Sequence, residues 1–518
     1  MLSSIYPISY MVCLFGLIMW FYFKDNATMS RLMGTVFFLG ISTYLVTFYL
    51  SEGELNYKLM ILARDLAVMG AVAYLFGALA KNKLVFFAFL ALLYGALQYK
   101  FASVLYQTFP QATTSTSTSH NLSATGELLV EMKPGQRIDA IQSILSKYDL
   151  TATVAFNPLD EDLTDLDDYL TIDISDQHIN QLDIIMTSLQ EHPAVDWVET
   201  NELYQVDPME LDPVTINRRN HRDLKKFGLD DPNLKELWGF QEMAVDDLYA
   251  FLKKNKIKPK KKAKIFILDT GVDAKHEDLK DNYKSINRKY DKDPMGHGTH
   301  CAGIAAAVSN NGKGGASFSQ NNEFVEVTSI RVLSSYGGGT QKGILKGIIE
   351  AADHGADVIS MSLGGRSDAN KQKAYQEAIE YANKKGSIVI AAAGNSNDNA
   401  KFYSPANAPG AITVSAIDSD LKRAVFSNYI NEVDYGIAAP GVNIYSSIPG
   451  NKYASFNGTS MATPYVAGLV GLMKSFRPEI NTKQAHDILH RTGIKTNNTR
   501  QTGPFIQPAK AMKELLKK

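Results

Sequence analysis

Four polar side chains stand in this sequence where chemistry on an acyl carbon could be assembled, each beside an apolar run. Asp269 follows KIFIL, His297 lies between glycines in GHGTHCAGIAAAV, Asn395 follows IVIAAAG, and Ser460 sits in FNGTSMATPYVAGLVGLM. A serine hydroxyl attacks a carbonyl when a base takes its proton, a carboxylate orients that base and donors stabilise the oxyanion. Ser460, His297, Asp269 and Asn395 are of the types that fill those parts. Each also has a plainer reading. Asp269 alone is a strand-end turn residue, Ser460 alone a helix N-cap, and Asn395 alone a buried structural amide. His300 competes with His297 as the base, and the H-x-x-H pair is a zinc pattern only if further ligands join it.

The elements that must position these groups follow from hydrophobic pattern. KIFIL reads as a strand with Asp269 at its carboxyl end, where open α/β sheets place their sites. The small-residue run after His297 begins a helix, whose positive end disfavours an imidazolium and suits a neutral base. Ser460 opens another helix, where Pro464 is tolerated because first-turn amides lack intrahelical partners. Cys301 falls about one helical turn beyond His297, and both apolar packing and a regulatory thiol are open for it.

The order Asp, His, Ser in these surroundings, GTSMATP above all, resembles the subtilisin-like serine peptidases over residues 126–515. The resemblance implies a three-layer α/β catalytic domain with a mostly parallel sheet over 228–518. It implies a serine endopeptidase with Asp269, His297 and Ser460 as its triad and Asn395 as the side-chain oxyanion donor. SMSLGG, with Ser362, Leu363 and Gly364, and SSYGGG, with Gly337 and Gly338, would be the two edges that hold a protein or peptide substrate as an added strand. Broad specificity is implied, and the pocket's variable positions, Ser396 and Tyr403, are uncharged. No cofactor is implied for catalysis. Asp278 matches a carboxylate of a calcium site in many relatives, but VSNNGKGGASFSQNNEF is shorter than the loop that wraps that ion. Structural calcium therefore stays open.

At 518 residues the chain exceeds one core and fits about three domains. Its net charge of -1 gives no global attraction to nucleic acid, and no nucleic-acid partner is expected. That total hides nets of +3 over 1–125, -14 over 126–205 and +10 over 206–518. Two cysteines, Cys13 and Cys301, exclude a disulfide framework. Apolar stretches at 4–23, 32–50, 59–80 and 84–99 are each near the length of a membrane-spanning helix, so 1–105 is expected to be an all-α anchor in a lipid bilayer. Lys24 with Arg31, and Lys81 with Lys83, place the first and third loops in the cytoplasm, giving a multi-pass protein with everything after about 105 extracytoplasmic. Arg64 and Asp65 interrupt the third stretch and are expected to snorkel to the interface.

Residues 106–125 are Ser/Thr-rich and read as a linker. The acidic block, 126–205, reads β-α-β-β-α-β, a ferredoxin-like α+β order, with AVDWVETNELYQ as its last strand. It resembles the inhibitory prodomain that precedes subtilisin-like proteases, which implies an intramolecular inhibitor and a self-processing precursor. Cleavage would fall between Tyr204 and Gly228, around a basic segment at 206–227.

Overall fold

The computed structural model describes residues 2–50, scattered positions from 62 to 86, and residues 122–123, 126–206, 224–256, 258–367 and 373–517. Two units, 1–119 and 120–518, are each described by themselves.

In the first unit, α1 (Leu2–Tyr22) carries no charged residue and α2 (Ala27–Leu50) carries only Arg31. Ala27–Val46 is long and apolar enough to cross a membrane, as an anchor or a signal; Val12–Tyr22 is a shorter apolar helix. The two helices meet backbone to backbone. A Cβ on Gly40 would lie 2.8 Å from the Cys13 nitrogen, so only glycine permits that approach. Asp65 corrects the snorkelling expectation: it is 1% exposed and accepts from the Tyr44 hydroxyl at 3.0 Å. An inward acid with a hydroxyl donor avoids the cost of an unpaired buried polar group. Arg64, Lys81, Lys83 and the stretch 84–99 lie outside the described residues, save Phe86, as does the linker apart from 122–123.

The second unit opens with β1 (Leu128–Met132), α3 (Gln142–Lys147), β2 (Leu150–Val154), β3 (Tyr169–Ile174), α4 (Leu182–Gln190) and β4 (Val195–Thr200). The strands form an antiparallel sheet in the order β2-β3-β1-β4. Strand side chains alternate between faces. Leu128, Val130 and Met132 of β1 pack with Leu145 and Ile185 inside this module, whereas Leu129 joins the core that follows. The expected single last strand is in fact two. Asn201 stops β4 by donating its amide to Glu127 O (2.7 Å) and its Nδ2 to Gly126 O (2.7 Å), and β5 (Leu203–Gln205) leaves for another sheet.

The remaining elements that position the site are β6 (Ala263–Asp269), α5 (His297–Ala306), β7 (Val325–Arg331), β8 (Gly338–Thr340), α6 (Gln341–Asp353), β9 (Val358–Met361), β10 (Gly365–Arg366), α7 (Lys373–Lys384), β11 (Ile388–Ala392), β12 (Tyr403–Ser404), β13 (Ala411–Ile417), β14 (Gly436–Pro440) and α8 (Thr459–Phe476). Six strands run parallel in the order β14-β13-β11-β9-β6-β7. Both sheet faces are covered, which is why β6 and β11 are continuous apolar runs rather than alternating ones. Ile265 and Ile267 pack with Cys301 of α5 and Val466 of α8, while Phe266 and Leu268 pack with Ile344 of α6 and Ala378 of α7. The expected three-layer α/β architecture with a parallel sheet is present. Helix α8 is buried along its whole length, which explains its small and apolar composition.

Candidate active site

Asp269 ends β6 and His297 begins α5, so one strand terminus meets one helix terminus. His297 Nδ1 lies 2.8 and 2.9 Å from the two Asp269 oxygens, and both side chains are buried. Burial works against a charged imidazole, but the adjacent Asp269 carboxylate and, further off, Asp293 outweigh it and raise the His297 pKa. The helix-dipole expectation of a disfavoured cation is thus overturned, because a carboxylate at hydrogen-bond distance carries a full charge and the helix end about half of one.

Asp293, which the sequence reading missed, holds this corner together. Its Oδ1 accepts from Thr270 Oγ1 (2.8 Å) and Gly296 N (2.8 Å), and its Oδ2 from Thr299 N (2.8 Å) and Thr299 Oγ1 (2.7 Å). Thr270 in turn donates its amide to Asp269 Oδ1 (2.7 Å) and accepts from Gly298 N (3.0 Å). One buried carboxylate therefore ties the turn after Asp269 to the first turn of α5. The D-x-x-G-H spacing was its only sequence signal. His300 is elsewhere: its Nε2 lies 3.0 Å from Ala454 O, its ring packs on Phe456, and burial pushes its pKa down to about 3. Among the described residues, the group that could approach a metal is Asp269, His297 and Cys301, without His300, so the zinc pattern gains no further ligands. Cys301 is fully buried and its Sγ faces Ser460 O at 3.5 Å; burial raises its thiol pKa, which fits packing rather than a reactive thiolate.

Ser460 is the second residue of α8, 7% exposed, with its Oγ donating to Ser362 O at 3.2 Å. Asn395 follows Gly394, whose φ of 100° suits glycine, just beyond β11. Asn395 Oδ1 accepts from Thr459 N and Thr459 Oγ1, both at 2.9 Å. The backbone amide can only donate, so this pairing assigns the oxygen and leaves the Nδ2 hydrogens for the cleft.

A cleft of about 370 Å³ is lined by Ser460, Thr459, Asn395, Gly394, the edge Ser362–Leu363–Gly364 and Tyr403. Ser396 lines it too. Arg366 adds a charge that the uncharged expectation did not include, but Asp398 pairs with it. Gly337 and Gly338, the other expected edge, do not line this cleft themselves and meet it through the tail of the first module. Strand β5 pairs antiparallel with β8, Tyr204 opposite Gly339 and Gln205 opposite Gly338, and Val206 N donates to Gly337 O at 3.0 Å. Gln205 and Val206 line the same cleft as Ser460.

Asp278, the expected calcium carboxylate, is buried. Its Oδ1 accepts from Asn311 Nδ2 (3.0 Å) and its Oδ2 from Gly315 N (3.1 Å). Lys313 N donates to Asn311 Oδ1, which fixes that amide with its hydrogens toward Asp278. Calcium needs six to eight oxygen ligands, and this carboxylate instead faces N–H donors of the short loop. Stripping divalent cations with EDTA should therefore move Tm by less than about 2 °C. An occupied site at a thousandfold excess over Kd would contribute about 4 kcal/mol, which means a fall of roughly 7 °C in a domain of this size.

A family model described as Subtilase family matches residues 260–507, a span that contains Asp269, His297, Asn395 and Ser460. Thermitase of Thermoactinomyces vulgaris is 46% identical over 218 residues, covering 41% of this chain and 75% of thermitase. Subtilisin DY of Bacillus licheniformis is 41% identical over 243 residues, covering 46% of this chain and 85% of that protein. With identity at that level over most of each relative, this chain belongs to the subtilase family and is a serine-type endopeptidase.

Proposed function

We propose that this protein is a membrane-anchored serine endopeptidase made as an autoinhibited, self-processing precursor, with Asp269, His297 and Ser460 as its triad. Asp269 holds His297 with Nδ1–H toward the carboxylate, so Nε2 is free to take the Ser460 proton. The Ser460 hydroxyl turns from the Ser362 carbonyl to His297, attacks the peptide carbonyl and forms the acyl-enzyme. Asn395 Nδ2 and the Ser460 backbone N–H, an unpaired first-turn donor, hold the oxyanion. Gly337–Gly338 and Ser362–Gly364 grip the substrate main chain as a third strand between them. Residues 126–205 serve as inhibitor and 228–518 as protease, joined by the processing segment 206–227, with 1–105 in the lipid bilayer and 106–125 as linker. No cofactor takes part.

The observation that carries this reading is the antiparallel pairing of Leu203–Gln205 with Gly338–Thr340, which ends with Val206 in the cleft that Ser460 lines. A peptide of the chain's own occupies the place of a substrate. A fluorophosphonate probe should label the mature enzyme at Ser460, and N-terminal sequencing of that enzyme should find its first residue between 207 and 228. Labelling elsewhere, or a start at Val206 or earlier, would sink the assignment. The mature enzyme should also leave washed membranes without detergent once 126–205 is degraded.

Asp293 is a positioning residue in this scheme. Asp293→Asn should lower kcat by about 10²-fold, the cost of a small misplacement of reacting groups, with little change in KM. Removing its charge also lowers the His297 pKa, so the acid limb of kcat/KM should move to lower pH. An unmoved limb would leave Asp293 a purely structural role.

A further inference from the structure

The face of β1, β3 and β4 that turns away from its own module lies on α6 and α7, and four carboxyl groups meet there. Glu199 of β4 is 1% exposed and accepts from Gln341 Nε2 (2.6 Å), Trp197 Nε1 (3.0 Å) and Ala374 N (3.3 Å). Glu131 of β1 accepts from Tyr169 OH of β3 (3.1 Å) and Lys373 Nζ (2.6 Å). Glu377 of α7 reaches Lys373 at 3.4 Å through one oxygen, while its Oε2 is buried with no hydrogen-bond partner. Asp196 of β4, half exposed, also meets Lys373 at 2.8 Å. The hydroxyl of Tyr375, from α7, is buried nearby without a partner. Among the described residues Lys373 is the only cation that faces this group.

One lysine cannot neutralise four carboxylates, and an unpaired carboxylate out of water is far costlier than a neutral carboxylic acid. A protonated Glu377 would moreover be a donor where the carboxylate has an oxygen without one. We propose that this cluster is a proton-operated latch: module 126–206 seats on α6 and α7 with Glu199 and Glu377 protonated, and loss of those protons at alkaline pH loosens its tail from the cleft. The proposal rests on reading 126–206 as the inhibitor of that cleft. It makes latency depend on the medium rather than on sequence alone.

The sign follows from the assembled state. Burial pushes Glu199 up to about 8 and, with the Glu131 charge, Glu377 up to about 7; burial also raises Glu131. Burial opposes the charge on Lys373, but its bonds to Asp196 and Glu131 win and keep it protonated. Groups whose values are raised on assembly stabilise the assembly fully below the ordinary carboxylate range and lose that contribution as pH rises through the raised values. Seating is therefore tightest in acid and weakest above about pH 8. Each proton released on separation shifts the equilibrium up to tenfold per pH unit.

The full chain carrying Ser460→Ala, in detergent micelles, isolates seating from cleavage. Hydrogen exchange at the β5–β8 amides, corrected for the intrinsic effect of pH, should show protection falling by about tenfold or more between pH 6 and 8.5. In the added double variant Glu199→Gln, Glu377→Gln, which keeps shape and neutrality, protection should be flat with pH. Flat protection in the parent, or an equal fall in the double variant, overturns the latch. Should the double variant not fold, Trp197 reports in the parent, since its indole donates to Glu199. Fluorescence titrating between about pH 7 and 8 supports the latch, and no titration overturns it. In the active chain, onset of cleavage of a short peptide should follow the loss of protection. Protection that falls without any gain in activity keeps the latch and removes the inhibitor reading.

Discussion

Full-length Ser460→Ala should accumulate as an unprocessed precursor with no measurable peptidase activity. The hydroxyl is the atom that bonds to the substrate, and the nucleophile and its base act as a unit, so losing it costs nearly the full chemical advantage, on the order of 10⁶ in kcat. Stability should barely change. Ser460 Oγ makes one bond, to Ser362 O, and the Ser362 hydroxyl bonds to the Ser460 main chain, which alanine retains. The measurement is maturation of purified precursor, read by gel mobility, together with peptide hydrolysis. Maturation of the pure alanine variant would mean that another protease makes the cut, and the self-processing reading would fail. A variant that matures only when active enzyme is added would instead fit it.

Asp269→Asn should reduce kcat by about 10⁴-fold while leaving KM and Tm nearly unchanged. Both Asp269 oxygens lie within 2.9 Å of His297 Nδ1, so either can accept its hydrogen, and Thr270 N donates to one of them. An amide offers one acceptor where the carboxylate has two. With Oδ1 held by Thr270, the NH₂ group faces Nδ1 and selects the tautomer with its proton on Nε2, which cannot take a proton from Ser460. Loss of the charge also removes what holds the imidazole pKa up. A reduction smaller than about tenfold would show that His297 is oriented by something else, and the Asp293 hub would become the first place to look.

The contrast between these residues and the ones that escaped notice has a local cause. Asp269, His297, Asn395 and Ser460 stand at element ends, where strand pattern, glycine and small-residue helix starts are written within a few neighbours, so type and setting could be read together. The same holds for the β-α-β-β-α-β order of the first module and for β6 as a doubly covered strand, because side-chain period reports burial directly. What each group faces is a different kind of fact. The donors that Asp278 meets, Asn311 Nδ2 and Gly315 N, are put against its oxygens only by the folded loop. Asn201 ends a strand that looked continuous because its partners are Gly126, Glu127 and Lys342, distant in sequence. The pairing of β5 with β8, the Arg366–Asp398 pair and the meeting of Glu131, Glu199 and Glu377 on Lys373 likewise join segments whose own patterns are satisfied without one another. Hydrophobic periodicity selects which face is buried, but it carries no information about which distant polar group will lie opposite. That choice is made when two buried faces close on each other and every polar atom between them must find a partner or a proton.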